Sequence, residues 1–153
     1  MAPGGHGGGS AGGSRRKARA YALQVLYARD VEKGTDVGAA LTGWSEAFEL
    51  DVDDAARAFA GELVRATVGD QAAIDEVIAA SSRNWRIERM SRVDRNILRL
   101  AVGELRSLPD TPVKVVINEA VELAKRFGTA ESPAFVNGIL DRIAGALGRS
   151  AES

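Results

Sequence analysis

A chain of 153 residues, 45% hydrophobic and 27% charged, with a formal charge of −1, has the size for one hydrophobic core and lacks the uniform positive field of a generally basic nucleic-acid binder. No stretch approaches the roughly 20 apolar residues of a membrane helix, and the N-terminus has no apolar signal-peptide core. Cysteine is absent, which excludes disulfides and thiolate ligands and fits the reducing setting of a cytoplasmic protein.

Residues 1–14 are half glycine and show no periodicity, so they bury too little surface to offset the entropy of ordering them. They are expected to form a disordered tail. No Gly-Lys-Ser/Thr follows the glycines, so they are not a phosphate loop, and His6, the one histidine, reads as a solvated tail residue. Arg15, Arg16, Lys17 and Arg19 come next, directly ahead of Leu23, Leu26 and Tyr27 on a helical repeat. Cations at a helix N-terminus oppose the macrodipole, and phosphates would relieve them by accepting from the arginine forks and the free N–H groups of the first turn. A solubilising basic arm is the alternative, and charge alone does not separate the two.

Val37, Ala40, Leu41, Trp44 and Phe48 form one apolar face, and Val52, Ala56, Phe59, Ala60, Leu63 and Val64 form another before Gly69. Asp70 is placed to cap a helix carrying Ile74, Val77 and Ile78, and Trp85 and Ile87 fall in a connecting stretch between two helical groups. Ser91 and Asp94 resemble a capping box at the start of the next helix. That helix buries Val93, Ile97, Leu100, Ala101 and Leu108, and its stripe of Arg92, Arg95, Arg99 and Arg106 reads as a solvated outer face. Glu104 sits on the apolar side and needs a partner there. Pro109 ends the helix, and Thr111 with Pro112 opens another.

Val116, Ala120, Leu123, Ala124 and Phe127 share a side of that helix, and Gly128 reads as its left-handed C-terminal cap. Ser132 and Pro133 read as the N-cap and first residue of a last helix, continued by Phe135, Val136, Ile139, Leu140, Ile143 and Leu147. Phe135 suits the core face, yet it also lies in the first turn, where an exposed ring can stack on an unpaired base; both readings stand. Enzymatic chemistry finds no support. The folded part has no cysteine nucleophile, no histidine base and no metal-ligand spacing, so neither a catalytic residue nor a cofactor is expected.

INEAVELAKRFG at 117–128 followed by SPAFVNGILD at 132–141 resembles the C-terminal signature of the NusB family of transcription antitermination factors. VDRNILRLAVGEL at 93–105 and RRKARAYALQVLY at 15–27 match it upstream in the family's order. The resemblance implies an all-α domain of about seven helices in two packed groups over residues 15–148, with a flexible C-terminus at 149–153. It also implies binding of single-stranded boxA-like RNA together with the ribosomal protein NusE, in complexes that carry RNA polymerase through terminators, notably in rRNA operons. Arg15, Arg16, Lys17, Arg19, Glu131, Ser132 and Phe135 match positions that face RNA. Tyr27, Glu88 and Asp94 match positions that face NusE. Without the resemblance, Tyr27 reads equally well as core, and Asp94 as a carboxylate complementing the helix dipole. Either a monomer or a homodimer is compatible with the resemblance. Two other functions suit the residues: a helical protein-interaction adaptor, and the RNA-binding module of an RNA cytosine methyltransferase, for whose cofactor domain the chain leaves no room.

Overall fold

Helical periodicity here is built mostly from aliphatic residues and alanine, which pack closely between helices, and the computed structural model follows it. It describes residues 3–32 and 53–149, with side chains from Gly13 onward. Among these residues are six α-helices, a short 3-10 turn and no strand: α1 (Pro3–Val31), α2 (Asp54–Gly69), α3 (Gln71–Ser81), the turn Ile87–Arg89, α4 (Arg92–Ser107), α5 (Val113–Phe127) and α6 (Ser132–Ala146). The helix expected around Val37–Phe48 lies outside the described residues. The chain divides into two compact units, 1–64 and 65–153, with the boundary inside α2. The expected junction near Trp85 is therefore interior to the second unit.

In the first unit, Ala18 and residues 20–23, 25 and 26 are all buried, on every side of α1. A helix apolar all round belongs to a core. Its N-terminal turns run from Pro3 through the glycine-rich segment expected to be disordered. Once a helix is nucleated downstream, each further residue adds a backbone hydrogen bond, set against a cost near 1 kcal/mol per glycine. This moves the basic cluster off the helix N-terminus and into its interior, so its backbone N–H groups belong to the helical ladder and only side chains can meet an anion. The start of α2 is capped by Asp53, whose Oδ1 accepts from the Ala56 N–H at 2.7 Å and from the Ser14 hydroxyl at 3.2 Å.

In the second unit, α4 packs against α3, α5 and α6. Every residue from Asn96 to Leu105 is buried, so its polar members must find partners inside. Asn96 Nδ2 donates to the Arg92 carbonyl at 2.8 Å, and Glu104, 1% exposed, is not left without a partner. Gly103 is required by close approach, since a Cβ there would stand 2.6 Å from Thr67 Oγ1.

The arginine stripe of α4 is solvated only in part: Arg92 and Arg106 are exposed, as its spacing suggests, whereas Arg95 is half-buried and Arg99 is buried. Arg99 is buried in a bidentate pair with Asp75, Nε to Oδ1 at 2.8 Å and Nη2 to Oδ2 at 3.0 Å. Arg95 donates to the Ile87 carbonyl at 3.2 Å, and Arg106 lies 3.7 Å from Asp70. Asp70 does not cap α3 with its side chain; it faces this arginine instead. Helical spacing shows which residues share a face, whereas the neighbour that the face meets decides whether it is wet.

The connection from α5 to α6 departs from expectation in two details. Gly128 is extended, with φ −97°, and not left-handed; glycine is needed because a Cβ would come within 2.6 Å of Ser132 Cβ and 2.9 Å of the Ala124 carbonyl. Glu131 occupies the N-cap position of α6, and the Ser132 hydroxyl turns back to accept from the Thr129 N–H at 2.9 Å. At the far end, Leu147 is 36% exposed and not core, and Gly148, at φ 74°, terminates α6 in the left-handed conformation. Arg149, expected in a flexible C-terminus, donates to the carbonyls of Leu105 at 2.7 Å and Thr111 at 3.0 Å.

Candidate nucleic-acid interface

Each unit carries part of the expected interface. In the first, Arg15 and Arg19 lie one turn apart on α1 and both meet Phe59 of α2, with Cζ 4.4 Å and 5.5 Å from the ring centroid. Arg15 is exposed and Arg19 is 5% exposed. The ring face attracts a guanidinium through its quadrupole and orients it, but it carries no net charge to cancel the cation's. Arg16 and Lys17 are exposed on other sides of the helix, and both have interactions within the protein.

In the second unit, the loop before α6 gathers Thr129, Glu131 and Ser132. The Thr129 hydroxyl donates to Glu131 Oε2 at 3.2 Å and lies 3.3 Å from Ser132 Oγ. Ser132 is 1% exposed, so its hydroxyl organises the loop from inside, while the Glu131 residue stands exposed above it. Phe135 resolves into neither of its two readings in pure form. Val136, Ile139, Leu140 and Ile143 take the core side of α6, and Phe135 is half-buried at its border, edge-on to Trp85 with ring centroids 5.9 Å apart and an interplanar angle of 84°. Such an edge-to-face pair is a favoured aromatic geometry. Trp85 is itself 55% exposed. The two rings border an open groove of about 650 Å³ that also takes in Arg83, Asn84, Gly138 and Arg142.

Trp85 and Arg142 were absent from the residues singled out from sequence. Trp85 had one visible signal, a large aromatic in a polar connecting stretch. Arg142 had none, because its role depends on α6 passing the end of α3, where its Nε donates to the Ser81 carbonyl at 3.0 Å.

The expected partner-facing residues are also distributed. Tyr27 is half-exposed one turn before the end of α1. Glu88 is exposed in the 3-10 turn and lines a second groove with Asp75, Glu76, Arg86 and Arg89. Asp94 stands in the first turn of α4, where its N–H donates to Ser91 Oγ at 3.1 Å; its own Oδ1 is shielded and has no partner among the described residues, so the capping box is one-sided.

The described residues thus bring together arginines stacked on a ring and, in the second unit, an aromatic pair of which Trp85 is exposed and Phe135 half-buried. Residues 16–145 match the model of the NusB family. The transcription antitermination protein NusB of Myxococcus xanthus is 50% identical over 138 residues, covering 90% of this chain and 99% of that protein. That of Geotalea uraniireducens is 52% identical over 139 residues, covering 88% and 96%. Among solved structures, NusB of T. maritima superposes with a TM-score of 0.78 at 37% identity, covering 86% of this chain and 90% of that one. A crystal structure of antitermination factors NusB and NusE in complex with dsRNA gives 0.77 at 32% identity, covering 87% and 97%. The chain belongs to the NusB family.

Proposed function

We propose that this chain is a cytoplasmic, RNA-binding transcription antitermination factor that binds boxA-like RNA with NusE and helps RNA polymerase read through terminators, notably in rRNA operons. The observation that carries the reading is the exposed Arg15, whose guanidinium lies over the Phe59 ring with Cζ 4.4 Å from its centroid, a neighbour that orients the cation without adding an opposite charge. Arg16 and Lys17 extend the cationic surface around α1. Glu131 and Phe135 supply the second contact region, with Ser132 holding the loop that presents them. The solved relative with NusE and double-stranded RNA supports both kinds of partner. Exposed aromatic rings favour unpaired bases, which have a free face to stack.

Tyr27, Glu88 and Asp94 are assigned to the NusE side. Replacing Asp94 with Lys is expected to lower NusE affinity without unfolding the protein, with a small drop in melting temperature because a cation in the first turn of α4 opposes the helix dipole.

The test is titration of a short boxA-like RNA, with and without NusE, at two salt concentrations. Phosphate contacts release counterions, so affinity should fall as salt rises, and NusE should tighten binding. An affinity for NusE with no measurable RNA binding under either condition would instead favour a protein-interaction adaptor.

A further inference from the structure

The groove beside Phe135 has a composition that its aromatic border alone does not explain. Trp85 is 55% exposed. A large ring left open to water in an otherwise aromatic-poor protein offers a stacking face. Around it stand two guanidinium groups, Arg83 and Arg142, and the amide of Asn84; no carboxylate is among the described residues that line the groove. The Arg142 side chain is steadied by its Nε bond to the Ser81 carbonyl, and it lines the groove two helical turns along α6 from Phe135. Phe135 meets the indole in a T-shaped pair, ring centroids 5.9 Å apart and planes at 84°, which restrains the indole's orientation. A flat hydrophobic face, an amide able both to donate and to accept, and two cations together suit one chemical class: a base joined to a phosphate.

We infer that this groove seats one unpaired nucleotide of the bound RNA, with its base stacked on Trp85, Asn84 reading the base edge and Arg83 and Arg142 holding the flanking phosphate. The inference rests on the RNA-binding reading above and adds to it a subsite whose central residue is Trp85.

Gly138 gives a way to close the groove without touching the core. It lines the groove on α6, and a Cβ built there meets nothing within 4 Å. Leucine at this position is also a better helix former than glycine, so Gly138→Leu should fold at least as well as the parent.

The experiment uses the full chain carrying Trp44→Phe, which leaves Trp85 as the sole tryptophan of the two in the sequence. A short single-stranded boxA-like oligoribonucleotide is titrated at low salt. Binding is followed by anisotropy of labelled RNA, and stacking by Trp85 emission, with the same RNA as a blunt duplex for comparison. The expected result is quenching of Trp85 by the single strand and less by the duplex. Trp85→Ala and Gly138→Leu should each lose about ten-fold in affinity, the size of one lost stacking contact, with Trp85→Phe retaining most of it. RNA binding with unchanged Trp85 emission and parent-like affinity in Gly138→Leu would overturn the subsite and leave the RNA-binding reading intact. Equal quenching by the duplex would overturn the unpaired nucleotide. Failure of the parent chain to bind either RNA would overturn the RNA-binding reading itself. Should Trp85→Ala not fold, Gly138→Leu and the quenching decide the matter.

Discussion

Two helices of this protein carry arginines at helical spacing, and they use them in opposite ways. On α4, Arg99 meets the carboxylate of Asp75 and Arg106 lies near that of Asp70, so charge is cancelled where it is met and the stripe becomes a brace between helices. On α1, Arg15 and Arg19 meet the ring of Phe59, which orients a guanidinium through its quadrupole and carries no charge of its own. The same residue type therefore braces helices against a carboxylate on α4 and stacks on an aromatic ring on α1. What differs is the neighbour, not the arginine.

Removing the brace's carboxylate breaks the structural half of this comparison most sharply. Asp75→Ala removes the carboxylate of the buried bidentate pair with Arg99, and chemical denaturation should show a loss of about 3 kcal/mol, at the lower end for buried pairs because Asp75 is partly exposed. RNA affinity of the folded protein should not change. Phe135→Ala tests the functional half. The ring is half-buried, so the stability loss should stay below the roughly 3–5 kcal/mol of a fully buried phenylalanine, while RNA affinity drops by about ten-fold. A full core-sized loss with normal RNA binding by the folded fraction would assign Phe135 to packing.

The basic cluster of α1 is best sampled first at its exposed members. Arg16→Gln with Lys17→Gln should flatten the slope of log affinity against log salt by about 1.4, at roughly 0.7 per phosphate contact with a single strand. Adding Arg15→Gln and Arg19→Gln should flatten it by about 2.8 in total on the same basis. The quadruple variant should also melt lower, since Arg19 is buried against Phe59. An unchanged slope would turn α1 into a solubilising arm and erase its contrast with α4. The smallest effect is expected at Ser91. Its hydroxyl accepts from the Asp94 N–H, so Ser91→Ala should cost about 1 kcal/mol in a melting experiment and leave RNA binding unaffected.

Local chemistry made much of this protein legible before any coordinates. The starts and ends of α4, α5 and α6 follow from Ser91, Pro109, Pro112, Gly128 and Pro133, because capping hydroxyls, glycine and proline act within one turn of chain. The apolar faces of α2, α3, α5 and α6 likewise follow from helical period, although Val77, Phe127 and Phe135 are only half-buried at the borders and Leu147 is exposed where α6 runs out of core to cover. The RNA and NusE positions came from a resemblance over most of the chain and not from spacing.

Residues alone determined that this chain is all-helical, where most of its helices begin and end, and which side of each is apolar, since all of these depend on neighbours within a few positions in sequence. The tertiary structure decided what each exposed-looking group meets. It paired Arg99 with Asp75 across 24 positions, set Phe59 beneath Arg15 and brought Trp85 to the edge of Phe135. It also turned Ser132 back into its loop and replaced a left-handed Gly128 with one made necessary by crowding. Charge, burial and stacking depend on distance in space, and helical period carries no information about which helix will pass within a few ångströms.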